Sequence, residues 1–146
     1  MKHAAKFATA MMLAALMPAT HAFAFDDKDV IDYRHHIMTT LDEQAGALGM
    51  IVSTQIPNDN LVAHLDTLAL TAKQALKSFE QKVPGGESKP LVWEQWKDFS
   101  ERMNTFAIKT AELAQTARTK GQDAVVADMV GALACKSCHE IYRDKK

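Results

Sequence analysis

Both cysteines of the chain fall in one five-residue string, Cys135-Lys136-Ser137-Cys138-His139. C-x-x-C-H is the attachment signature of a c-type haem. On a helix, residues three apart share a face, so both thiols can reach the vinyl groups along one porphyrin edge. His139 follows at once and offers its imidazole to the iron. Other chemistries of paired cysteines fit less well. A thioredoxin-like pair belongs at a helix N-terminus after a strand, where the dipole depresses a thiol pKa, and this string is expected near the end of the last helix. Structural zinc needs about four ligands, and no second C-x-x-C or H-x3-H pair occurs. A disulfide across two intervening residues would deform a helix.

Helices must position such a group, and the chain supplies them. From residue 26 to 146 apolar residues recur at three- and four-residue intervals, without sustained alternation. A first segment, about 27–53, carries Val30, Tyr33, Ile37, Met38, Leu41, Ala45, Leu48 and Val52 on one stripe, with Asp32, His36, Asp42 and Glu43 opposite. The chain breaks at Pro57, and Asn58 or Asp59 can cap a second helix whose stripe is Leu61, Leu65, Leu68, Ala72, Leu76 and Phe79. Residues 83–90 read V-P-G-G-E-S-K-P, a linker in which Pro and Gly oppose helix continuation. A third helix, about 90–118, buries Val92, Trp93, Trp96, Phe99, Met103, Phe106, Thr110 and Leu113. Gly121 ends that region. Asp123 caps a last helix, about 123–143, with Val126, Met129, Val130 and Leu133 leading into the cysteine segment. Short connections force neighbouring helices to run opposite ways, which predicts an all-α, antiparallel up-down-up-down four-helix bundle.

Length and composition agree with one packed domain. The chain has 146 residues, 47% hydrophobic and 24% charged, which argues against disorder or a disulfide-stapled scaffold. Seventeen basic against 18 acidic side chains give no footprint for a phosphate backbone, so nucleic acid is excluded as an expected partner. Residues 1–24 have the layout of a secretory signal peptide: Lys2, His3 and Lys6, then an Ala/Met/Leu-rich run, Pro18 and Ala22-Phe23-Ala24. Cleavage is expected after Ala24, with Ala22 as the alternative, leaving residues 25–146 as an exported, mildly acidic domain. No later stretch approaches the roughly 20 apolar residues of a membrane-spanning helix. Ser, Asp and Glu form no recognisable hydrolytic constellation, and Gly85-Gly86 is too short for a phosphate cradle, so no enzyme activity is expected.

On these residues the chain resembles the class II cytochromes c, which comprise the cytochromes c′ and the low-spin cytochromes c-556. The likeness covers essentially the whole mature chain. The tail from Cys135 through Lys145 looks like that family's ending, including the basic Arg143 four residues after the histidine. Lys89-Pro90-Leu91-Val92-Trp93 is similar to the family's Pro-x-x-Trp opening of helix three, whose aromatic packs beside the haem. Tyr33-Arg34-x-x-x-Met38 resembles its helix-one segment. The resemblance implies one haem c held by Cys135 and Cys138, His139 as proximal ligand, Trp93 as a haem wall, Arg34 near a propionate, and Arg143 as a second basic residue neutralising a propionate or tuning the histidine. It also implies redox proteins as partners in a periplasmic electron-transfer chain, and admits a homodimer.

The residue opposite His139 decides function. Met38 lies roughly 15 Å along the first helix and His139 roughly 10 Å from the chain end, at about 1.5 Å per residue. In an antiparallel bundle the two are level within about one turn. A thioether ligand raises the potential and His/Met ligation suits electron carriers, so the expected function is a six-coordinate one-electron carrier. The alternative is a five-coordinate c′-like protein that binds nitric oxide or carbon monoxide, with Met38 as a core filler. His35 and His36 are read as solvated, His64 as structural or exposed, and Met50, Met103, Met129 and Trp96 as core.

Overall fold

The computed structural model describes residues 25–144, so the signal-peptide expectation for residues 1–24 lies outside the described residues. Helix α1 (Asp27–Val52) begins where the Asp26 side chain accepts a hydrogen bond from the Lys28 N–H, and Asp27 and Asp29 in its first turn suit the positive end of the dipole. Helix α2 (Leu61–Ser78) follows a short loop and returns. A single turn, α3 (Leu91–Glu94), leads into α4 (Trp96–Lys120), which stops at Gly121 with φ 81°. Helices α5 (Asp123–Ala132) and α6 (Cys135–Tyr142) complete the chain.

Side-chain bonds set the directions. Gln44, late in α1, meets His64, early in α2, whereas Arg34, early in α1, meets Ser78 at the end of α2. Arg118 near the end of α4 pairs with Asp66 near the start of α2. Tyr142, at the end of α6, reaches Gln95 and Asp98 at the start of α4. With α5 and α6 together forming the fourth arm, this is the expected up-down-up-down bundle. Leu48, Ile51, Leu65, Leu68, Val92, Thr110 and Val125 lie fully inside it. Among the described residues no helix is long and apolar enough to cross a membrane.

The expected third and fourth helices are each broken. Gln95 (φ −115°, ψ 40°) separates α3 from α4, and Leu133 and Ala134 (ψ 26° and 52°) separate α5 from α6. Neither break contains Gly or Pro, so periodicity runs through both. The caps also differ. Asn60, not Asn58 or Asp59, precedes α2 and makes no side-chain cap bond, while Asp123 is the first residue of α5 rather than its cap. Tyr33 (53% exposed) and Val130 (75%) point to solvent rather than into their expected stripes, Met50 is exposed rather than core, and Ile51 and Val125 take inward positions instead.

The stretch between α2 and α3 forms a strap across one end of the bundle. The antiparallel bridge between Gly85 and Ser88 makes it a tight turn, and Ser88 forms a second such bridge to Arg143 beyond α6. Gly85 (φ 138°) and Gly86 (φ 62°) adopt backbone conformations that L side chains rarely take. A Cβ on either would come within 2.8 Å of Ile31 on α1, so the strap's backbone lies directly on that side chain.

Candidate haem site

The whole attachment string, Cys135 to His139, lies on α6. Cys135 is the first residue of the helix and exposed, while Cys138, one turn on, is half-buried against the edge of the core. Both are free thiols. The string therefore does sit at a helix N-terminus, contrary to the expectation used against a thioredoxin-like pair. That reading still fails on two counts. Among the described residues no strand precedes the helix, and burial pushes both thiols up rather than down. Among those residues no group of three or more His, Cys, Asp or Glu could hold a metal ion, as structural zinc would require.

His139 is half-buried in the last turn of α6. Burial, and then the Arg143 charge, pulls its pKa below the ordinary value, partly opposed by Asp42 and Glu87. Its neutral, ligating form is thus favoured. Two thiols three residues apart on one helix and a neutral imidazole beside the second are a donor set that fits a covalently held haem.

Two other parts of the chain, α4 and the strap, hold α6 by its C-terminal end. From α4, Asp98 accepts from the Tyr142 hydroxyl and pairs with Arg102. The hydrogen bond from Arg102, and then that from Tyr142, holds the Asp98 carboxyl below its ordinary range. Burial and Asp98 together push Tyr142 up to about 12. From the strap, Glu87 pairs with Arg143 and its carbonyl accepts from the Asp144 N–H at 2.8 Å. Lys89 donates from its backbone to the Tyr142 carbonyl at 3.0 Å, and from Nζ to the carbonyls of Ile141 (3.1 Å) and Glu140 (3.3 Å).

The remaining expected residues divide between two places. Met38 on α1 is half-buried and packs against the core cluster, as do Cys138 and Ile141 of α6. Asp42, one turn further along α1, is near enough for its charge to raise the pKa of both Cys135 and His139, against the lowering effect of burial on the histidine. Arg34, one turn before Met38 on α1, is bonded to three backbone carbonyls. Only 3% exposed, it donates Nε to Ser78 O (2.6 Å), Nη1 to Val83 O (2.5 Å) and Nη2 to Gln81 O (2.5 Å). Its guanidinium carbon lies 5.0 Å from the ring centres of both Phe79 and Trp93. Trp93 itself is half-buried and donates Nε1 to Phe79 O at 2.9 Å. Both residues therefore brace the strap, while Arg143 lies at the tail of α6. His35 and His36 are exposed neighbours, and His64 is a structural link between α1 and α2. Lys89, Glu87, Asp98 and Asp42 were not singled out as site residues, because their partners lie tens of residues away and no local pattern marks them.

Known proteins resemble the chain in sequence and in fold. The family model described as Cytochrome C' matches residues 29–143. Cytochrome c-554 of Cereibacter sphaeroides is 30% identical over 142 residues, covering 88% of this chain and 90% of that protein. A cytochrome c' of Alcaligenes xylosoxydans xylosoxydans is 27% identical over 123 residues, covering 82% and 96%. Two solved structures of cytochrome c prime from Alcaligenes xylosoxidans, one ferric and one a nitric oxide complex of a variant, superpose with TM-scores of 0.76 and 0.77. Each is 25% identical and covers 83% of this chain and 98% of its own. With the bundle, the terminal C-x-x-C-H and these relatives in agreement, the chain belongs to the cytochrome c′ family, and Cys135 and Cys138 are its attachment points for covalent haem c.

Proposed function

We propose that this protein is an exported, periplasmic monohaem carrier of single electrons in which His139 and Met38 would be the residues that hold the iron. The observation that carries this reading is that Met38 of α1 and Cys138 and Ile141 of α6 are half-buried against the same core cluster. Bound haem supplies the ferric/ferrous couple. The chain's own residues hold it with little geometric change. Cys135 and Cys138 fix one edge, His139 is presented by a helix stitched at its far end, and Met38 offers a sulfur that favours reduced iron. The exposed Cys135 side is the edge at which redox partners would meet the group, and no bond of a substrate is broken in such a cycle.

The second reading, an open distal site that takes nitric oxide or carbon monoxide, is supported by the solved nitric oxide complex of the Alcaligenes relative and by Met38 lying at a core edge, where methionine often only fills space. Absorption spectra of the holoprotein, oxidised, reduced, and reduced under carbon monoxide, separate the two. Low-spin spectra in both states, a ferric thioether band and no response to carbon monoxide are expected. Met38→Ala is expected to open the sixth position and lower the potential. High-spin bands that shift with carbon monoxide, or a Met38→Ala protein with unaltered spectrum and potential, would make Met38 a core residue.

A further inference from the structure

The C-terminal end of α6 shows an unusual division of labour. A helix leaves its last four carbonyls without intrahelical partners. In α6 the His139 carbonyl is taken by the Arg143 N–H at 3.0 Å. The other three, of Glu140, Ile141 and Tyr142, are all taken by one residue from another part of the chain, Lys89, through its ammonium and its backbone N–H. Lys89 is itself half-buried and is followed at once by Pro90 and α3, so its backbone position is fixed by the strap on one side and a helical turn on the other.

We propose that Lys89 is a positioning residue for the proximal side of the haem: by capping α6 it fixes the orientation of His139 and sets the reduction potential. This rests on the haem reading of the site above. Two effects act in the same direction. A cation at the negative end of a helix dipole offsets the partial charge of the free carbonyls. A fixed positive charge beside the ligand helix also disfavours the more positive ferric state relative to the ferrous one. Lys136 is the natural control. It stands inside the attachment string, carries the same charge, and is 88% exposed in its side chain beside Glu140, where solvent and salt screen it.

The test compares purified holoproteins carrying Lys89→Met, Lys89→Gln, Lys89→Arg and Lys136→Met by reduction potential, ferric electron paramagnetic resonance and thermal unfolding. Lys89→Met is expected to shift the potential downward and move the ferric g values, which report the imidazole orientation. Lys89→Gln, whose amide still donates to carbonyls, is expected to lower the potential with smaller changes in g values, and Lys89→Arg to restore both. Lys136→Met is expected to shift the potential less than either neutral variant. If Lys89→Met fails to mature, the Gln and Arg variants carry the comparison alone. A potential unchanged in the neutral variants, or moved no further than in Lys136→Met, would reduce Lys89 to a purely structural cap and overturn the proposal, even if the unfolding temperature falls. A wild-type protein that carries no covalent haem would instead remove the reading on which it rests.

Discussion

Arg34 resembles by sequence a residue placed near a haem propionate, and in the bundle its three guanidinium nitrogens are bonded to the carbonyls of Ser78, at the end of α2, and of Gln81 and Val83 in the strap. A buried carbonyl left without a donor costs about 1–3 kcal/mol. Arg34→Met, which keeps the aliphatic volume but removes every donor, is therefore expected to destabilise the holoprotein by on the order of 3 kcal/mol, seen as a lower midpoint in denaturant unfolding. A loss well below 1 kcal/mol would mean that water or another side chain can serve those carbonyls. Lys cannot substitute fully, since a point ammonium cannot span three acceptors in the plane of a guanidinium.

At the scale of elements, the strap is the part that joins α1 to α6. Gly86 holds a left-handed conformation against Ile31, and such a conformation costs an L residue about 1–2 kcal/mol. Gly86→Ala is expected to lower the thermal midpoint accordingly, with a further loss from the contact with Ile31. Adding Ile31→Ala should recover part of the difference between Gly86→Ala and its own single variant. No recovery would mean that backbone strain alone accounts for the effect. Much of this architecture was legible in the residues. Repeating apolar intervals gave the arms of the bundle, and C-x-x-C-H marked the attachment helix, because both are local patterns. The kinks at Gln95 and at Leu133-Ala134 were not legible, since their residues are compatible with a helix and tertiary packing decides the backbone there. Nor were the stitches made by Lys89, Glu87 and Asp98, which depend on partners brought together only by the fold.

For the molecule as a whole, the Tyr142 contact couples stability to alkaline pH. Its phenol is held neutral up to about 12, against an ordinary value of 10.0, by burial first and then by its bond to Asp98. Between those values the unfolded chain has released a proton that the folded chain retains. Stability therefore falls as pH rises through this window. Tyr142→Phe is expected to lose that component of the slope when denaturant midpoints are measured from pH 9 to pH 11, and an identical slope in both proteins would mean that another group sets it. The same arrangement also bears on the order of assembly. α1 and α2 meet through a short turn, whereas Lys89 meets Glu140 and Ile141 across 51 and 52 residues, and Arg143 meets Glu87 across 56. Closing loops of that length is entropically slower than pairing adjacent helices. The strap's bonds to α6 need both ends of that span in place, so the two thiols are expected to stay accessible for attachment until the strap closes on the helix that bears them.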